Sequence, residues 1–145
     1  MKKILITGSR NYGLCEAICN LFDATPDIEY ETASRSNGYH LDTSEGQKKL
    51  AEKYIEGDFD IFINNSAIWK FQQVMVVEAV YNAMEEADRK GHIINLGSTA
   101  DTGVKGRTWR YPTEKKALKA YNRDLTYKAM GGSNIKTTLI SPGSL

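Results

Sequence analysis

Short runs of apolar residues alternate with stretches of helical periodicity along most of this chain, and no other feature constrains its fold as strongly. Strands separated by helices require right-handed crossovers, which build a parallel sheet with helices on both faces. We therefore predict an α/β fold, a three-layer doubly wound parallel sheet of about six strands. The predicted strands are Lys3–Thr7, Glu29–Ala33, a brief one near His40–Leu41, Asp60–Asn64, His92–Leu96 and Lys136–Ser141, and the predicted helices are Leu14–Ala24, Glu45–Glu56, about Phe71–Lys90 and Pro112–Met130.

The length and charge of the chain narrow its class. At 145 residues it is predicted to form one domain, residues 1–145. The formal net charge is +1 and basic residues are interleaved with acidic ones, so nucleic acid and membrane surfaces are not expected partners. No apolar run approaches the roughly 20 residues that cross a bilayer, and we expect a cytoplasmic protein. Cys15 and Cys19 are predicted to be buried against the sheet rather than to bind a metal.

The helix predicted at about Phe71–Lys90 has almost no polar face in its middle, from Val74 to Met84. A helix that is apolar all round has to be covered on both sides. We expect the second cover to be another copy of the chain, giving a homodimer or higher homo-oligomer through the Phe71–Met84 helix. A loop of the same chain lying over the helix is the alternative.

A turn that contains Gly8 and Gly13 joins the first strand to the first helix. Glycines at such a turn let the backbone approach a pyrophosphate, whose charge then rests on free N–H groups and on the helix dipole. Because many strand–turn–helix junctions carry two glycines, this turn alone indicates a dinucleotide site only weakly.

Four further motifs follow the glycine turn along the chain. They are Asn64-Asn65-Ser66-Ala67, Ser98, the Tyr-x-x-x-Lys pair Tyr111 and Lys115, and Ser141-Pro142-Gly143. In this order the sequence resembles the classical short-chain dehydrogenase/reductase family, whose glycine loop reads Thr-Gly-x-x-x-Gly-x-Gly. The thirteen-residue gap between Ser98 and Tyr111 is typical of the family's reductases. The resemblance covers nearly the whole chain. It implies a Rossmann-like sheet in the strand order 3-2-1-4-5-6 and NAD(P)-dependent oxidoreductase activity.

The sequence departs from the family pattern in three ways. One extra residue separates Gly8 from Gly13, and Cys15 stands where the loop has its third glycine. The family has a catalytic asparagine in the long helix, and our best register puts Lys70 there. Family members also continue past the Pro-Gly turn with a segment that closes over nicotinamide and substrate, so we expect an open pocket unless a partner covers it.

The end of the second predicted strand bears on the choice between NAD and NADP. The acid that accepts the ribose hydroxyls of NAD lies about 20 residues past the glycine loop, and Ser34 takes that place, followed by Arg35. A cation beside a missing acid favours the 2′-phosphate of NADP(H) over NAD(H), and Arg10 could add a second cation. A solvated loop residue is the alternative for Arg35. Asp42 matches the family's adenine-contacting aspartate, although a plain turn residue explains it almost as well.

Tyr111 and Lys115 are four residues apart at a predicted helix start, so both side chains project from one face. An ammonium beside a phenol favours the ionised phenol, which makes it a usable acid and base near neutral pH. The resemblance implies that Tyr111 is the general acid/base, that Lys115 tunes it and holds the ribose, and that Ser98 hydrogen-bonds the substrate oxygen. Together, the resemblance and the charges after the second strand predict these cofactor-binding residues: Gly8, Ser9, Arg10, Gly13, Leu14, Ser34, Arg35, Asp42, Asn65, Ser66, Ala67, Tyr111, Lys115, Pro142 and Gly143.

These residues predict hydride transfer between a nicotinamide and a small carbonyl or alcohol. The alternative from another class is a non-catalytic dinucleotide-binding or scaffold protein derived from the same family. A nucleotide-sugar-modifying relative has the same Tyr/Lys pair but fits the glycine spacing less well.

Overall fold

A parallel sheet of five strands, in the order β2-β1-β3-β4-β5, organises the part of the chain that this computed structural model describes, residues 1–98 and 110–143. The strands are β1 Lys2–Thr7, β2 Ile28–Ala33, β3 Ile61–Asn64, β4 Gly91–Leu96 and β5 Ile135–Ile140, and the helices are α1 Gly13–Asp23, α2 Ser44–Glu56, α3 Gln72–Glu86 and α4 Arg110–Met130. A 3₁₀ turn, Arg35–Asn37, follows β2. The doubly wound parallel architecture predicted from the sequence is therefore confirmed.

Alternate residues of a strand point to opposite faces of the sheet. Each face of this sheet packs against an apolar core. In β1, Leu5 belongs to the larger core that includes buried residues of α2, α3 and α4. Ile4 and Ile6 belong to a smaller core with Cys15 and Cys19 of α1. Strands buried on both faces read as nearly continuous apolar runs, as the inner strands β1 and β3 do between Ile4 and Ile6 and between Ile61 and Ile63.

The prediction of a brief strand near His40–Leu41 is wrong. The backbone there has other partners: the Leu41 carbonyl accepts a hydrogen bond from Gln47 Nε2 (3.0 Å), and the His40 carbonyl accepts one from Thr43 Oγ1 (2.8 Å). Two residues are also far fewer than the five or six of a usual strand. With this strand removed, the order of the other five strands is the predicted one, and β2 is an edge of the described sheet.

The helix α3 is shorter than predicted and is covered within the chain. It ends at Glu86 because Asp88 adopts a positive φ of 51° and the N–H of Arg89 closes the end on the carbonyl of Met84 (2.9 Å). Its apolar side is buried together with residues of α2 and α4 in the larger core. Two helices of the same chain therefore cover the buried side of α3, while Met75 on its other side stays 42% exposed.

The two cysteines are buried on α1, as predicted, with their Sγ atoms 4.0 Å apart and both thiols free. Burial raises the pKa of Cys15 to about 12. Over the described residues, no group of three or more His, Cys, Asp and Glu side chains is placed to hold a metal ion. No helix in those same ranges is long and apolar enough to span a membrane.

Candidate functional site

The carboxyl ends of β1 and β3 lie side by side where the winding of the sheet reverses. From β1 the chain moves outward to β2, whereas β3 leads to β4 and β5 on the other side. Ligands of doubly wound proteins bind in the crevice outside the carboxyl ends of the strands at such a switch point. The turn from Gly8 to Gly13 follows β1 and Asn65–Ala67 follows β3, so these predicted cofactor residues border the crevice.

Thr7, the last residue of β1, joins the two loops that border the crevice. Its buried Oγ1 accepts hydrogen bonds from the backbone N–H groups of Asn65 (2.9 Å) and Ser66 (3.1 Å), and the Asn65 side-chain amide donates to the Thr7 carbonyl (3.1 Å). The loop after β3 is thus fixed by the protein itself. Thr7 was not among the predicted site residues, although a polar residue directly after the apolar run Ile4–Ile6 was an available signal.

The glycine turn has the backbone that a close ligand approach requires. Gly8 has a φ of 134°, and a Cβ there would lie 2.8 Å from Asn65 Nδ2 and 3.0 Å from the Cβ of Cys15. Gly13 has a φ of 60° and faces open space. The helix α1 begins at this point without a capping side chain, since Tyr12 makes no such hydrogen bond. The first amides of α1 therefore remain available to an anion.

A cavity of about 130 Å³ opens at one end of the crevice, beside the end of β2, and is lined by Ser34, Arg35, Tyr39, Leu41, Asp42, Ser66 and Ile68. Four of these were predicted cofactor residues, and the structure brings them together. The apolar liners Tyr39, Leu41 and Ile68 were not predicted, because nothing in their sequence pattern separates them from core residues. The Arg35 side chain is exposed and has no hydrogen bond or ion pair to any described residue.

Arg10, the second predicted cation, is engaged elsewhere. Its guanidinium donates to Asp23 Oδ2 (2.7 Å), Asn20 Oδ1 (2.9 Å) and the Tyr30 hydroxyl (3.1 Å). These partners lie on α1 and β2, and Arg10 is not among the described residues that line the cavity. Its charge is thus balanced by an acid within the chain, in contrast to the charge of Arg35.

Tyr111 and Lys115 lie at the other end of the crevice, on the first described turns of α4. Lys115 is only 4% exposed, whereas Tyr111 is 36% exposed, and the Lys115 Nζ lies 5.7 Å from the centroid of the Tyr111 ring. The buried ammonium donates to the carbonyl of Leu96, the last residue of β4 (3.1 Å). Burial lowers the pKa of Lys115 to about 8, and the carboxylate of Glu114 partly offsets this effect.

Gln73, rather than Lys70, is the residue near the start of α3 that contacts Lys115. The Gln73 Oε1 accepts a hydrogen bond from Lys115 Nζ (2.8 Å), whereas Lys70 is exposed in the loop before α3. Lys70 and Phe71 both have a φ of 62°, which is unfavourable for non-glycine residues. The Glu114 carboxylate accepts from the Phe71 N–H (3.0 Å) and so ties this strained pair to α4. Lys70 therefore lies outside α3, and Gln73 is the α3 residue that contacts Lys115.

A row of buried amides continues from this end of the crevice into the core. Asn64 at the end of β3 donates to Asn95 Oδ1 on β4 (2.9 Å), and Asn95 donates to Asn122 Oδ1 on α4 (2.9 Å). All three side chains are at most 8% exposed. They fix α4, and with it Tyr111 and Lys115, relative to β3 and β4.

The remaining predicted site residues also lie at the carboxyl edge of the sheet. Ser98 is the second residue after β4, while Pro142 and Gly143 follow β5. The two strand ends are close, since the N–H of Gly97 donates to the carbonyl of Ile140 (2.7 Å). All five strand ends therefore carry at least one residue that the sequence analysis assigned to the site.

The fold is shared with solved short-chain dehydrogenase/reductase structures. One from Burkholderia phymatum in complex with NAD has a TM-score of 0.81 and 18% identity over 99% of this chain, which spans 66% of that chain, just under two thirds. An oxidoreductase (short chain dehydrogenase/reductase) from Brucella ovis has a TM-score of 0.78 and 21% identity, over 100% of this chain and 84% of that chain.

A third structure, a gluconate 5-dehydrogenase from Burkholderia cenocepacia J2315 in complex with NADP and tartrate, has a TM-score of 0.76 and 16% identity, over 98% of this chain and 71% of that chain. No family model and no curated protein matches the sequence. At these identities the likeness establishes the fold.

Proposed function

We propose that the chain is a short-chain dehydrogenase/reductase that uses NADP(H) to transfer hydride between the nicotinamide and a small carbonyl or alcohol in the cytoplasm. The observation that carries this proposal is the pairing of the buried Lys115 ammonium with the half-exposed Tyr111 at one end of a crevice whose other end is a small cavity beside β2. A phenol and an ammonium in this arrangement suit proton transfer to a carbonyl oxygen.

The residues present fit a dinucleotide. The pyrophosphate would lie on the uncapped start of α1 and the backbone from Gly8 to Gly13, where a side chain at Gly8 has no room. The adenosine would occupy the cavity beside β2, with Asp42 and Ser66 as its polar neighbours. Lys115 would hold the nicotinamide ribose, and Asn65, Ala67, Pro142 and Gly143 would surround the nicotinamide end. Ser9 and Leu14 belong to the pyrophosphate turn.

The preference for NADP(H) rests on Arg35. It lines the adenosine cavity, is exposed and has no acidic partner within the described residues, so its charge is available to a 2′-phosphate. The nearest acid on β2, Glu31, is paired with Lys53 (2.8 Å). Arg10 contributes less in this proposal, because Asp23 already neutralises it.

The chemistry at the other end is a coupled transfer of hydride and proton. The bound nicotinamide supplies or accepts the hydride. In the reductive direction Tyr111 donates its hydroxyl proton to the carbonyl oxygen, and the resulting phenolate is stabilised by the Lys115 ammonium. Ser98 hydrogen-bonds the same substrate oxygen and orients the carbonyl. In the oxidative direction Tyr111 accepts the proton of the alcohol.

A homo-oligomer through α3 is a further part of the proposal. Met75, which is 42% exposed, lies with Ala79 in a groove of about 620 Å³ between α2 and α3. Of the described residues, four acids, Glu52, Glu56, Glu78 and Glu86, line the same groove with one cation, Lys48, so a symmetric contact would bring an excess of like charges together. Salt should therefore strengthen association. Sedimentation velocity at low and high salt tests this, and a monomer in both conditions contradicts it.

Calorimetric titration of the intact chain with NADPH and with NADH tests the cofactor proposal, and turnover on a panel of small carbonyls tests the reaction. We expect saturable binding of both, tighter for NADPH, and a higher thermal unfolding midpoint in the presence of either. Binding without turnover would favour the non-catalytic alternative. The absence of binding by both nucleotides would overturn the proposed function.

A further inference from the structure

We propose that Gln73 is a positioning residue for Lys115, and that it holds the lysine ammonium in place by direct contact with a neutral amide oxygen. The catalytic consequence of this inference rests on the proposed function, because it is for hydride and proton transfer that the position of Lys115 matters. The contact itself does not depend on that function and can be measured without a cofactor.

The orientation of the Gln73 amide is settled by its partners. Its Nε2 donates to two backbone carbonyls, those of Asn64 (3.0 Å) and Leu96 (3.3 Å), which can only accept hydrogen bonds. Both amide hydrogens are thereby used, so the oxygen has to face the remaining neighbour, which is Lys115 (2.8 Å). The side chain is 5% exposed and is held at three points, and its oxygen is therefore a fixed acceptor.

Lys115 is held by two neutral acceptors. Of the three ammonium hydrogens, one is donated to Gln73 Oε1 and one to the Leu96 carbonyl. The third can be donated to a ligand or can point towards Tyr111. An amide oxygen can accept a proton donor but cannot carry a proton onward. Gln73 can therefore orient the ammonium, while proton exchange has to pass through the third hydrogen.

The charges around Lys115 are few. On its own helix, Glu114 favours the ammonium, and the phenol of Tyr111 lies nearby. The groups that contact Lys115 from α3 and β4 are Gln73 and the Leu96 carbonyl, and both are neutral. Among described residues, no other charge contributes to the lowered pKa of Lys115. A change of charge at Gln73 should therefore be felt directly by the lysine.

The Gln73→Glu variant tests this inference, because it replaces the neutral acceptor with an anion of nearly the same size. Lysine labelled with ¹³C at Cε would be titrated by NMR in the full chain, with the Lys115 signal assigned from Lys115→Met. We expect Gln73→Glu to raise the pH midpoint of that signal by about one pH unit or more, as an opposite charge in contact does. Gln73→Met, which keeps the length but removes the acceptor, should lower it.

Gln72→Glu is the matched control. Gln72 lies one position earlier, and its side chain contacts Gln47 and the carbonyl of Lys70. The same charge introduced there should shift the Lys115 midpoint by much less. If Gln73→Glu does not fold, as judged by circular dichroism, the downward shift in Gln73→Met decides the question. A Lys115 midpoint that is the same in wild type and in every folded Gln73 variant would overturn the inference.

The test also separates this inference from the proposed function. NADPH would be titrated into the same samples, and the pH profile of kcat would be measured for the folded variants. If wild type binds no dinucleotide but the Lys115 midpoint still follows residue 73, the positioning role stands and the redox role fails. If NADPH binds and turns over while the midpoint and the pH profile ignore residue 73, the positioning role fails alone.

Discussion

The two ends of the crevice are built in different ways. At the end beside β2, where we propose that adenosine binds (the adenosine end), the polar groups Ser34, Arg35 and Asp42 lie outside the strands and the α-helices, at or near the surface. At the end beside β4 and α4, where we propose hydride transfer, the polar side chains Lys115 and Gln73 are buried and hydrogen-bonded to one another. A buried polar group left unpaired costs about 1–3 kcal/mol, so a change to one buried member disturbs the others. Side chains at the adenosine end can therefore be substituted one at a time, whereas a substitution of Lys115 or Gln73 also affects its buried partner.

The largest expected effect is at the chemical step. Tyr111→Phe removes the hydroxyl that exchanges the proton but leaves the ring beside Lys115, so kcat should fall by about 10²–10⁴ while NADPH binds as in wild type. Steady-state kinetics and calorimetry on the same sample measure both. Tyr127→Phe, at an exposed position of the same helix, is the control and should change neither quantity. Retained turnover in Tyr111→Phe would remove Tyr111 from the mechanism.

Gly8→Ala should destabilise the glycine turn, which lies between the two ends of the crevice. The added Cβ meets Asn65 and Cys15 and the backbone has a positive φ, so we expect a loss of about 2–4 kcal/mol in the free energy of unfolding from strain and crowding together. NADPH binding should weaken as well. Urea denaturation measures the stability.

Gly132→Ala is the control for this change, because Gly132 has a φ of 118° but faces open space far from the crevice. It carries the conformational cost without the crowding. Equal losses in the two variants would mean that the packing of Gly8 against Asn65 and Cys15 is unimportant.

The buried ammonium should make stability depend on pH. Below about pH 8, Lys115 is protonated in both the folded and the unfolded chain, and the cost of its burial is fully present. Between about 8 and its ordinary 10.5, the folded chain releases the proton and the unfolded chain keeps it, so stability rises with pH. The free energy of unfolding of wild type should gain, relative to Lys115→Met, on the order of 3 kcal/mol across this window.

Lys116→Met, at an exposed neighbouring position, is the matched control for this titration. Its unfolding free energy should follow that of wild type at every pH. If the Lys115→Met curve is also parallel to wild type, the lysine is not held in the desolvated state described here.

The smallest expected effect concerns the adenosine end. Arg35→Ala should weaken NADPH binding by about 10- to 100-fold, the worth of a hydrogen bond to a charged group, and should leave NADH binding nearly unchanged. Calorimetry with both nucleotides measures the difference. Arg123→Ala, an exposed arginine on α4, should alter neither. An equal loss for NADPH and NADH would mean that Arg35 does not read the 2′-phosphate.

The sequence was sufficient to predict the elements whose signal is local. The inner strands β1 and β3 contain short apolar runs, and the edge strands β2 and β5 mix apolar and polar residues. The strand order followed from the alternation with helices and from the family resemblance. The brief strand near His40–Leu41 failed because its two residues satisfy their backbone through Gln47 and Thr43, contacts that no local pattern reveals.

The polar contacts across elements were beyond the sequence. Gln73 contacts Lys115 although the two are 42 positions apart, and no local pattern in the sequence pairs them. Arg10 was predicted to lie at the cofactor because it is in the glycine turn. The structure instead pairs it with side chains on α1 and β2, which lie near it only in the folded chain. Which acid an arginine pairs with depends on distances between packed elements, and the spacing of residues along the sequence does not determine those distances.

A crystal structure of the chain with NADPH tests the central claim most directly. We predict the pyrophosphate on the backbone between Gly8 and Gly13, the 2′-phosphate within hydrogen-bond distance of Arg35, and the nicotinamide ribose on the third hydrogen of Lys115 beside the Tyr111 hydroxyl. NADPH bound in the groove between α2 and α3, or a nicotinamide out of reach of both Lys115 and Tyr111, would contradict the account.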